Sequence, residues 1–111
     1  LADFTIKTGD TYPPLGAVLD DDGTPVDLTA ADSVRLILKL ESPSTVVEGA
    51  AAVTSAAGGA VEYEWAAGDT DQAGEYQGEW EVTWDAGSTP PSVQTFPNDG
   101  YFSVEILADL D

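Results

Sequence analysis

The sequence contains no cysteine and no histidine, and only three cationic side chains, Lys7, Arg35 and Lys39, stand against 21 Asp and Glu. Each scarcity removes a class of chemistry. Without Cys there is neither a disulfide framework nor a thiolate nucleophile, and without His the commonest proton shuttle and zinc ligand is missing. Catalysis of the Ser-His or zinc type is excluded. A formal net charge of -18 on 111 residues repels phosphate backbones, so no nucleic-acid partner is expected. No apolar run approaches the ~20 residues that span a bilayer, and no charged-then-apolar leader opens the chain. The composition reads as that of a soluble protein with no membrane partner. Leu1 is an unusual first residue, which suggests a trimmed or partial chain.

Against these absences stands a hydrophobic fraction of 42%, with three Trp, four Tyr and three Phe. An acidic disordered tail lacks such residues, so this chain is expected to fold. Its length suits a single core, which is expected over residues 1–107, with 108–111 as a frayed end. Asp20-Asp21-Asp22 is the one consecutive acidic run, and most other acids alternate with apolar residues. A surface of this kind repels itself at low salt and is screened in brine. The composition resembles that of proteins from salt-loving organisms; an ordinary acidic domain, or one facing a basic partner, is the alternative.

The dominant period is two. Tyr76, Gly78, Trp80, Val82 and Trp84 alternate with Glu75, Gln77, Glu79, Glu81 and Thr83, the pattern of a strand with one face buried and one in water. The same alternation runs through Val34, Leu36, Leu38 and Leu40, through Val61, Tyr63 and Trp65, and through Phe102, Val104 and Ile106. Phe4 with Ile6, and Leu15 with Ala17 and Leu19, add two more sets, while 46–53 and 93–96 are weaker candidates. Turn residues fall between them, at Gly9-Asp10, Pro13-Pro14, Asp22-Gly23, Gly58-Gly59, Gly68-Asp69, Asp85 to Pro91 and Pro97 to Gly100. Short strands at this spacing predict an all-β, immunoglobulin-like β-sandwich of seven to eight antiparallel strands. Helix is confined to single turns at Thr29 to Ser33, with Thr29 as a cap, and at Ala66 to Ala73.

Gly74-Glu75-Tyr76 has the spacing of the corner at which a tyrosine hydroxyl bonds to upstream backbone in such sandwiches. Gly78 stands where a disulfide Cys would follow, so the core must rely on Trp65, Trp80 and Trp84, each able to bury ~150–250 Å².

Longer stretches carry a resemblance. Asp3-Phe4-Thr5-Ile6-Lys7 with Gly9-Asp10-Thr11, then Asp22-Gly23-Thr24-Pro25-Val26-Asp27-Leu28-Thr29, resemble the start of the N-terminal immunoglobulin-like domain of the phage baseplate upper protein. Tyr63-Glu64-Trp65, Gly68-Asp69-Thr70, Ala73-Gly74-Glu75-Tyr76, Glu79-Trp80-Glu81-Val82 and Thr95 to Tyr101 extend the resemblance over almost the whole chain, in order. It implies a non-enzymatic structural protein of a tailed virus, located in the virion and docked to capsid, neck, tail or baseplate proteins in a symmetric multimeric assembly. With the acidity, it suggests a virus of a halophilic host. A carbohydrate-binding or host-adhesion domain is the alternative.

No catalytic residue and no cofactor is expected. Asp20 and Asp22, in the Asp-rich turn before Gly23, form the one Ca²⁺ candidate, but the chain lacks the spaced ligand set of an EF-hand, and a solvated hairpin turn explains the residues. Glu62 with Glu64, and Glu79 with Glu81, have the spacing of paired carboxylates for glycoside hydrolysis, which any wet strand face studded with acids also has. Trp84, Phe96, Tyr101 and Phe102 gather near strand ends and are the expected protein-interface residues, with Pro90-Pro91 stiffening that end.

Overall fold

The structure, a computed structural model, describes residues 2–110. The trimming inferred at Leu1 and the last residue of the frayed end, Asp111, lie outside that range. The described residues form ten strands and no helix: β1 (Phe4–Lys7), β2 (Leu15–Val18), β3 (Asp20–Asp21), β4 (Thr24–Pro25), β5 (Ser33–Leu40), β6 (Thr45–Ser55), β7 (Ala60–Tyr63), β8 (Gly74–Trp84), β9 (Ser92–Phe96) and β10 (Phe102–Leu107).

Eight strands make one sheet in the order β1-β10-β8-β5-β6-β7-β2, with β9 also paired to β8, while β3 and β4 form a separate hairpin. The path turns at β6. Its first part, through Ala51, pairs with β5, and its second part, from Ala52, pairs with β7. The two ends of the path, β1 and β2, come to opposite sides of a seam lined by Phe4, Leu15, Ala17, Trp80 and Phe102, so the sheet is nearly barrel-shaped.

One pairing departs from the expected antiparallel pattern. β1 runs parallel to β10, with Phe4 opposite Val104 and Lys7 opposite Leu107. First and last strands have no local turn between them to impose an antiparallel hairpin, so their relative direction is set by how the whole sheet wraps.

The period-two runs bury the faces expected of them. Val34, Leu36, Leu38 and Leu40 on β5, Tyr76, Trp80 and Val82 on β8, and Val104 and Ile106 on β10 meet Ile6, Leu15, Val61, Tyr63 and Trp65 in a single core. Trp80, 2% exposed, stacks on Phe102 with centroids 5.8 Å apart, and Tyr63 meets Trp65 edge-on at 5.6 Å. At ~25 cal/mol per Å², a buried Trp contributes several kcal/mol. The corner forms as its spacing predicts: the Tyr76 hydroxyl donates to the Gln72 carbonyl at 2.7 Å. Burial pushes that phenol's pKa up, which keeps it a donor.

Neither expected helical turn forms a helix. At the first, Asp27 rather than Thr29 organises the chain, its Oδ1 accepting from the Thr29 N–H at 2.9 Å and from the Thr29 hydroxyl at 2.6 Å. The Thr29 hydroxyl and then its N–H hold the Asp27 carboxyl below the usual range. An aspartate that closes its own turn in this way competes with helix. At the second, Asp69 accepts from the Ala66 N–H at 2.8 Å and from the Tyr63 hydroxyl at 2.5 Å, pinning the loop to β7.

Candidate functional site

The four aromatic residues expected at an interface take different positions. Tyr101 is 59% exposed, at the end of the loop that enters β10. Trp84 and Phe102 are half-buried and pack against the core. Phe96 is only 2% exposed and is thereby removed from the exposed set. The cause is register: Phe96 lies opposite Trp80 on the β8–β9 ladder, so both side chains point to the same, inner face. The Pro90-Pro91 segment is exposed, as an outer loop should be.

Asp20 and Asp22 flank a tight reversal. Asp22 and Gly23 both have positive φ, 53° and 86°, and the Asp20 carboxylate accepts from the Gly23 N–H at 3.1 Å. That is the geometry of a two-residue hairpin turn, for which Asp-Gly is the favoured pair. Among the described residues, no three Asp or Glu converge where a metal ion could sit.

The two glutamate pairs lie on different surfaces. Glu79 and Glu81 project from the outer face of β8. Arg35, beside them on β5, bridges Glu81 at 3.6 Å and Glu48 of β6 at 3.4 Å. Lys39 stands four residues along the same face of β5, in a shallow hollow of about 290 Å³ with Ile37, Glu41, Gln77, Glu79 and Tyr101. A wider groove of about 620 Å³ continues from Lys39 past Glu75 and Gln77 to Ser103. The outer face of β5, β8 and β10 is thus a polar, shallow surface carrying two of the three cations among many carboxylates.

Glu62 and Glu64 belong to a separate cleft of about 470 Å³, shared with Thr11, Tyr12, Pro14 and Trp65. Tyr12 is 80% exposed there, while the Trp65 indole N–H donates to the Pro13 carbonyl at 3.0 Å and anchors the loop. The buried Thr70 hydroxyl donates to the Asp10 carbonyl at 2.8 Å and holds the other end of the same loop. Tyr12 lies in a turn and outside every alternating run, so periodicity does not single it out. Its position two residues from Pro14, where β2 is about to begin, was the available signal.

No protein-family model matches this sequence, and no curated protein matches it either.

Proposed function

We propose that this chain is an immunoglobulin-like β-sandwich module that serves as a non-enzymatic structural component of a tailed virus particle, docking to neighbouring capsid, neck, tail or baseplate proteins. The observation that carries this reading is the corner at Tyr76, whose hydroxyl donates to the Gln72 carbonyl at the entry to the strand where immunoglobulin-like domains place it. Strand order supports it. Immunoglobulin domains set strands B, E and D side by side in one layer and C, F and G in the other. Here β2, β7 and the second part of β6 adjoin in that sense, as do β5, β8 and β10. The baseplate resemblance supplies the virion, and the shallow outer face supplies a surface for docking. A chain without His or Cys lacks the side chains of Ser-His, Cys-His and His-ligated zinc hydrolysis.

The test is to purify intact particles from the producing host in high salt and to ask by mass spectrometry whether the chain is present in fixed stoichiometry. Its density on the head or the tail then distinguishes capsid or neck decoration from a tail or baseplate role. Absence from the particles overturns the proposal.

The exposed ring of Tyr12 beside Glu62 and Glu64 favours a second reading, a carbohydrate-binding or host-adhesion domain. An aromatic face takes the apolar side of a sugar ring while carboxylates accept from its hydroxyls. Trp84 serves less well as such a platform, since it packs against the core. Glycan-array binding that disappears on Tyr12→Ala, with the fold intact, would establish this reading; an array without hits removes it.

A further inference from the structure

We infer that the free edge of β2 accepts an extended segment of another polypeptide, with two aliphatic side chains at alternate positions and basic residues outside them. β2 ends the strand path and pairs, among the described residues, only with β7. The Leu19 N–H, one residue beyond β2, donates to the Gly59 carbonyl on the β7 side. By alternation along the strand, the main-chain groups of Gly16 and Val18 point the other way, Gly16 toward β1 and Val18 toward Phe96 and Pro97.

The seam is built to take side chains as well as a backbone. Two small hollows follow one another along β2. One, of about 130 Å³, lies beside Leu15, Gly16 and Ala17, and the next, of about 160 Å³, beside Ala17, Val18 and Leu19. Both share Ala17, Trp80 and Phe102 as walls. An apolar cavity of ~150 Å³ holds a benzene molecule, so each hollow has room for one aliphatic side chain. The first hollow is bounded on β2 by residues 15–17 and the second by 17–19, an offset of two residues, which is the period of same-face side chains on an added strand. This is the geometry of strand addition, in which main-chain bonds provide affinity and alternate pockets provide selectivity.

Charge selects the guest. Asp3, whose carboxylate accepts from the Ser103 N–H at 2.8 Å, lines the first hollow and Asp20 the second, so an acidic residue stands beside each. A second copy of the chain would bring another net charge of -18 against the first. A segment with Lys or Arg outside its two aliphatic residues pairs with both carboxylates instead. This inference deepens the docking reading and rests on it only for placing the guest in a neighbouring virion protein.

The test uses the full chain and a short capped peptide of alternating valine and threonine with lysine at each end, followed by fluorescence anisotropy and amide exchange. Saturable binding is expected, with new protection at the Gly16 and Val18 amides. The same peptide with glycine for valine should bind about tenfold more weakly or worse, since both hollows then stay empty. Gly16→Pro removes an edge donor without breaking the β7 ladder, and Ala17→Leu fills both hollows from within; either should abolish binding. If Gly16→Pro fails to fold, Ala17→Leu decides. No binding, equal binding of the glycine peptide, or binding indifferent to the folded variants overturns the inference. Protection of Gly16 and Val18 that appears with protein concentration alone overturns it in favour of self-pairing. Peptide binding by a chain absent from particles would defeat the virion assignment and leave the edge site standing.

Discussion

Phe102 lies across Gly78, opposite it on the β8–β10 ladder, and its ring fills the space that a Cβ at position 78 would need. The same ring stacks on Trp80. Glycine in a strand weakens it unless something covers the gap, and an aromatic on the neighbouring strand does so here. Gly78→Ala must displace Phe102 from Trp80 and is expected to cost about 1–3 kcal/mol in urea denaturation. Gly87→Ala, in open space, should change stability by less than about 0.5 kcal/mol.

Phe96 and Tyr101, both assigned to an interface by sequence, should separate in experiment. Phe96→Ala opens a cavity beside Trp80 and is expected to lower stability by about 3–5 kcal/mol. Tyr101→Ala should leave stability within about 0.5 kcal/mol, so any defect it causes in particle incorporation reports on docking alone. Thermal melts of both variants check the first half of this prediction.

Alkaline pH should destabilise the fold through Tyr63. Burial first, and then the hydrogen bond to Asp69, raise this phenol above its ordinary value of 10.0. A group whose pKa is raised on folding contributes stability that is complete below the unfolded value and is lost as pH rises through the folded one. Tm is therefore expected to begin falling above about pH 10, once the unfolded chain binds fewer protons than the folded one. In Tyr63→Phe the fall should be shallower, with a remainder from Tyr76, whose pKa burial also raises.

Salt should stabilise the protein. Among the described residues only Arg35 forms ion pairs, with Glu48 and Glu81, and the remaining carboxylates repel one another. Raising KCl from about 0.1 M to about 1 M shortens the screening length from ~10 Å to ~3 Å. An increase in Tm of about 5 °C or more is expected, equivalent to ~1 kcal/mol for a domain of this size. A flat melting temperature across that range would contradict this account of the acidity.

The inner faces of β5, β7, β8 and β10 were legible because strict alternation encodes a half-buried strand residue by residue. So was the Tyr76 corner, which depends on a local spacing. Pairing between strands is not encoded in this way. Phe96 reads as an interface anchor because it gathers with Trp84, Tyr101 and Phe102 near strand ends, but a break at Pro97 to Tyr101 lets β9 and β10 share one edge of β8, and register with Trp80 turns Phe96 inward. Ala50, Ala51 and Ala52 give β6 too little contrast between faces to reveal that it leaves β5 for β7 at that point. The cleft around Tyr12 arises from the pairing of β2 with β7, which sets the loop before β2 beside Glu62 and Glu64. Each of these features is decided by which strand pairs with which and in what register, about which periodicity within one strand carries no information.

The parallel run of Phe4–Lys7 along the last strand has a mechanical consequence. Tension applied between residue 4 and residue 107 acts along the shared axis of the two strands. Every rung between them is then strained together, in shear, instead of being unzipped one after another. A domain held by neighbours at both of these positions would resist stretching as a stiff link, and its rupture would be abrupt.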